Sequence, residues 1–142
     1  MDKALNYIAL ARKAGRIELG EEPVGACARA QQARLVVVAL DATDHTWRRA
    51  KSFVAGTRQQ CIRVDYTKDE LGQAVGRSEL ALAAITDPAM ALAFVKALGS
   101  EEKYRDVLAD LEERTSRVQK RQSEQRAHAR NKRIGRTGKK KV

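Results

Sequence analysis

At 142 residues with an apolar share of 43%, the chain is long enough for one domain with a real core plus an appendage, which excludes a polypeptide disordered throughout. Its net charge of +10 is unevenly held: residues 1–113 carry 16 Lys or Arg against 17 Asp or Glu, while residues 114–142 carry 12 against Glu124 alone. No apolar run approaches the roughly 18 residues a membrane span needs, and Met1-Asp2-Lys3 does not open a secretory signal, so the expected location is the cytoplasm and no membrane partner is expected.

In chain order, residues 2–14 read as an amphipathic helix, with Leu5, Ile8 and Ala9 at helical spacing and Gly15 as the stop. A short strand over 16–19 leads to Gly20. Glu21 and Glu22 then load a first helical turn with negative charge, and Pro23 sits where a missing N–H is harmless. That helix runs to about Ala30, and LVVVAL (35–40) is the continuous apolar run of a strand covered on both faces. The free amides at the helix mouth, beside a glycine that lets another backbone come close, form a natural place for a polar ligand.

DATDHT (41–46) is a loop rich in capping residues, followed by a helix over about 45–55 with Trp47, Ala50 and Val54 facing inward and Gly56 ending it. A third strand covers 61–64. Thr67-Lys68-Asp69-Glu70 has the form of a capping box and predicts a short helix carrying Leu71, Ala74 and Val75. A fourth strand covers 80–85, and Asp87-Pro88 opens a helix over 88–98 that Gly99 closes. Ser100 is read as the cap of a last helix with Tyr104, Val107, Leu108 and Leu111 inward. Beyond Val118 the apolar stripe stops, which predicts a solvated helix fraying into a disordered basic arm.

Four strands alternating with helices predict an α/β fold, a three-layer α/β/α sandwich around a small four-stranded mixed sheet, with a C-terminal helical basic extension. The domain occupies 1–99 and the extension 100–142. Cys27 and Cys61 lack metal or redox spacing and are read as reduced small hydrophobes. His45 and His128 stand without a catalytic or metal-spaced cluster, so no enzyme, cofactor, metal or small-molecule substrate is expected.

The residues around the mouth allow two readings. Glu21 and Glu22 either accept hydrogen bonds from a guanine or merely complement the helix dipole. Lys13 and Arg16, like their neighbour Arg12, either contact phosphate or finish a solvated helix end. In the extension, Arg126, Arg130, Lys132, Arg133, Arg136, Lys139, Lys140 and Lys141 form a basic tail suited to counterion release on any polyanion.

LARKAGRIELGEE (10–22), ARLVVVALDA (33–42), ELGQAVG (70–76) and AAITD (83–87) stand in the order and spacing of the kink-turn-binding ribosomal protein family of L-seven-Ae and L-thirty-e type. The chain most resembles its small bacterial YlxQ-like branch, over roughly residues 4–98. The resemblance implies the same sandwich and adds a partner, structured RNA with a sharply bent internal loop. It places the reading element at Gly20, with Glu22, Pro23 and Ala26 where the family has Asn, Glu and Lys. Arg16 matches a basic position just before that element. Glu79, Leu80 and Ala81 match a mostly apolar loop that packs on the flipped-out part of the RNA. The function so implied is non-catalytic binding of kink-turn or internal-loop RNA, with ribosomal RNA as the partner and the ribosome as the setting. The alternative is a protein-interaction or ribosome-assembly module that touches nucleic acid only through its tail.

Overall fold

The computed structural model describes residues 2–141, with side chains over 2–129. The elements run α1 (Lys3–Lys13), β1 (Ile17–Leu19), α2 (Glu21–Arg29), β2 (Leu35–Val38), α3 (Asp44–Val54), β3 (Gln60–Arg63), α4 (Lys68–Ala74), β4 (Leu82–Ile85), α5 (Pro88–Ala97) and α6 (Arg105–Lys141). The four strands form one mixed sheet in the order β1-β4-β2-β3. β2 and β3 are parallel, as a strand pair joined through a crossover helix must be, whereas β4 runs antiparallel to both β1 and β2. Helices α2 and α3 pack on one face, and α1, α4 and α5 form the other layer, with α6 laid against α5.

The apolar run at 35–38 becomes the centre of the sheet because every one of its side chains finds cover. Leu35, Val36, Val37 and Val38 are all fully buried, each burial contributing about 1.5–3 kcal/mol. β4 is buried along its whole length beside it, and only the edge strand β1 shows alternation. Leu40 falls outside β2 and is 49% exposed, because the chain turns away after Ala39 to donate its Leu40 N–H to the Tyr66 carbonyl. β4 likewise starts at Leu82, later than the apolar run suggests.

The capping signals act as read, with one exception. Thr43 accepts from the Thr46 N–H, Thr67 and Glu70 complete the capping box, and Asp87 accepts from the Met90 N–H ahead of Pro88 in the first turn. Ser100 does not cap the last helix. Its carbonyl accepts from Tyr104 in a turn, and α6 begins at Arg105.

α6 is docked by Tyr104 and Leu111, both buried, with Val107 and Leu108 packed beside them. The Tyr104 hydroxyl donates to the Arg63 carbonyl at 3.2 Å. After Leu111 the helix buries nothing fully through residue 129, which fits the solvated helix read from the sequence beyond Val118, and it extends to Lys141. Its i,i+4 pairs Asp110–Arg114 and Glu113–Arg117 support the exposed stretch. Cys27 and Cys61 are free thiols, both held above the ordinary value by burial, Cys61 pushed up to about 12.

Candidate nucleic-acid interface

The mouth of α2 is built on one backbone conformation. Gly20 has φ +94° and ψ 167°, a region that essentially only glycine occupies, and its N–H donates to the Leu82 carbonyl at 3.1 Å. The turn is thereby stitched to the start of β4. Its only neighbour within 4 Å of a notional Cβ is the Pro23 side chain, at 4.0 Å, so the glycine faces open space. No side chain caps this helix end. Glu21 and Glu22 offer two free amides, and Pro23 has none to offer.

The 79–81 loop lies against this turn. Ala81 accepts from the Ala39 N–H and Leu80 donates to the Lys68 carbonyl, so the loop is pinned between β2, α4 and the Gly20 turn. Gly72 sets its distance from α4: a Cβ there would stand 2.7 Å from Glu79 Cα, 2.8 Å from Glu79 N and 2.9 Å from the Arg77 carbonyl. Across the loop, the Asp41 carboxylate accepts from the Lys68 N–H at 2.8 Å and holds the start of α4. Neither role was legible from the sequence, where Gly72 is one glycine among nine and Asp41 reads as a cap of its own following helix.

The predicted site residues thus divide. Gly20, Glu21, Glu22, Glu79 and Ala81 come together at the end of the sheet where β1 and β2 finish and β4 starts. Leu80 is among them in the backbone, but its side chain is 3% exposed and committed to the core. Glu21 is paired with Arg49 of α3, whose guanidinium also lies over the Phe53 ring at 5.4 Å, whereas Glu22 is exposed and has no cationic partner among the described residues. Lys13 and Arg16 lie at the other end of β1, where the Arg16 carbonyl accepts from Thr86; four residues of extended chain set Arg16 about 13 Å from Gly20. Trp47 is half-buried at the core's edge, its ring flanked by Arg63 at 5.1 Å and Lys51 at 5.2 Å.

Of the predicted tail residues, Arg126 is exposed, and the side chains of Arg130, Lys132, Arg133, Arg136, Lys139, Lys140 and Lys141 lie outside the described residues. Among the described residues no three His, Cys, Asp or Glu side chains converge as a metal site would require, and no helix is long and apolar enough to cross a membrane.

The arrangement defines a class: a single mixed sheet between two helical layers, with an uncapped helix mouth opened by a positive-φ glycine at the sheet's end. Proteins of known structure share this fold. A protein of unknown function from Bacillus halodurans C superposes with a TM-score of 0.65 at 23% identity, covering 70% of this chain and 99% of its own. A Giardia lamblia 15.5kD RNA binding protein does so with a TM-score of 0.58 at 19% identity, covering 71% of this chain and 86% of its own. In sequence, the chain is 33% identical over 75 residues to the RNA-binding protein YlxQ of Enterococcus faecium, covering 53% of this chain and 72% of that protein. No family model matches the chain. It belongs to the YlxQ-like family.

Proposed function

We propose that the protein is a non-catalytic RNA-binding protein that reads a kink-turn or internal loop, in ribosomal RNA, through the Gly20 turn and the 79–81 loop. Family membership supports RNA as the partner, since the YlxQ relative is named for RNA binding. The observation that carries the choice of site is the Gly20 N–H bond to the Leu82 carbonyl, which sets an open turn and a loop side by side on a rigid sheet end.

The chemistry favours an unpaired or sheared guanine over a phosphate at this point. An ionised carboxylate only accepts hydrogen bonds, and the exposed Glu22 suits the N–H groups on a guanine's Watson–Crick edge while repelling phosphate. Glu21 is already engaged by Arg49 and serves to hold α2 against α3. Ala81 and Glu79 supply the neighbouring surface for a splayed nucleotide. The basic extension adds grip that is salt-dependent and blind to sequence.

The test compares binding of the full chain to a kink-turn RNA and to a straight duplex of equal length. Tighter binding to the bent RNA is the expected result. Equal binding would assign the contact to the extension and favour a protein-interaction or ribosome-assembly module, a reading that Glu22, Pro23 and Ala26 in place of the family's polar residues keep in view.

A further inference from the structure

The end of the sheet opposite the Gly20 turn carries a second feature. A cleft of about 260 Å³ is lined there by Arg34, Arg58, Arg114, Arg117 and Arg121 together with Gln31, Gln59, Pro88 and Val118. Five arginines line it and no aspartate or glutamate does. Arg34 precedes β2 and Arg58 precedes β3, while the other three are spaced along one side of α6, so the cleft exists only because α6 is docked.

Two of the five are internally engaged. Arg114 pairs with Asp110 at 3.1 Å and donates to the Arg58 carbonyl, fastening α6 to the loop before β3. Arg117 pairs with Glu113 at the exposed rim. Gln59 is also spoken for: its carbonyl accepts from the Ala33 N–H at 3.0 Å, and its amide donates to the Ala28 carbonyl at 3.1 Å. That leaves Arg34, Arg58 and Arg121, none of which has a carboxylate within 4 Å among the described residues. The Nε of Arg34 is buried with no hydrogen-bond partner, a donor desolvated without compensation.

We propose that this arginine cleft is a second RNA contact, a subsite for backbone phosphate separate from the Gly20 turn. Guanidinium forks match phosphate oxygens in geometry and charge, and an anion in the cleft relieves the mutual repulsion of its arginines. The volume falls just below the roughly 300–1,000 Å³ of pockets that enclose whole small molecules, which fits a phosphate and its sugar entering from a longer chain. The proposal rests on the RNA-binding reading above and changes its division of roles: the globular domain supplies electrostatic grip through Arg34 and Arg58, and α6 supplies a built wall of the site.

The test uses the full-length protein and a kink-turn RNA with flanking stems, measuring affinity across a salt series. The double variant R58Q/R121Q alters two side chains of exposed residues and should leave folding intact, checked by circular dichroism. Losing two phosphate contacts should flatten the log–log salt slope by about 1.4–1.8. The preference for bent over straight RNA should be unchanged. A control, K103Q/R105Q, removes the same charge from exposed residues outside the cleft and should not move the slope. An unchanged slope in R58Q/R121Q, or an equal fall in the control, overturns the cleft as a phosphate subsite while leaving RNA recognition standing. Absence of RNA binding by the unaltered protein overturns both.

Discussion

Replacing Gly20 with alanine tests the turn on which the reading of this molecule rests. At φ +94° and ψ 167° an alanine is held in a region costing about 1–3 kcal/mol, and since a new Cβ meets only the Pro23 side chain at 4.0 Å, the cost is one of backbone conformation with no clash added. The chain can answer in two ways. If the turn keeps its shape, folding stability falls by that amount, lowering the melting temperature by about 4 °C per kcal/mol for a chain of this size. If the turn relaxes instead, the Gly20 N–H bond to Leu82 is lost at about 1 kcal/mol, and RNA must restore the strained shape on binding, weakening affinity by up to roughly 150-fold. Urea denaturation and titration with a kink-turn RNA, run on the same preparation, measure both responses. A G20A protein unchanged in both would refute the argument that this conformation is required.

Other expectations follow from single contacts. Gly72→Ala should push the 77–80 backbone away from α4, costing about 1–3 kcal/mol and shifting amide resonances across residues 77–82; a neutral substitution would contradict the close approach. Leu111→Ala empties the fully buried position that docks α6 and should cost about 2–5 kcal/mol while making the segment after Gly99 more sensitive to protease, whereas a loss below about 0.5 kcal/mol would mean α6 is not packed as described. Burial raises the Cys61 thiol to about 12 from 9.0, so the folded chain keeps a proton that the unfolded chain releases. Its stabilising contribution is complete below pH 9 and disappears as pH rises towards 12. Alkylation of Cys61 should accordingly stay slow at pH 9, and a thiol titrating near that value would contradict its burial.

Much of the architecture was legible because local signals and burial agree. LVVV at the start of the apolar run had to be a covered strand, the Thr67 capping box and Asp87-Pro88 fixed two helix starts, and the positive-φ Gly20 turn was foreshadowed by a glycine followed by Glu-Glu-Pro. What could not be read is what lies across space. The placement of Leu80 in the core depends on its hydrogen bond to α4, and an apolar residue in a loop gives no local sign of which way it turns. Lys13 and Arg16 look adjacent to Gly20 in the sequence, but a strand carries its two ends to opposite ends of the sheet. The arginine cleft is invisible for the same reason. Arg34, Arg58 and Arg121 are spaced by more than twenty residues each and meet only through the docking of α6, a helix whose polar continuation reads as an arm with nothing to pack against.

The most direct measurement is residue-by-residue mapping of the amide spectrum as a kink-turn RNA is added to the full chain. If the glycine-opened sheet end reads the RNA, the largest changes fall on Gly20, Glu21, Glu22, Glu79 and Ala81, with a second set around Arg34 and Arg58. Changes confined to the C-terminal basic residues, with the Gly20 turn and its neighbouring loop unmoved, would contradict it.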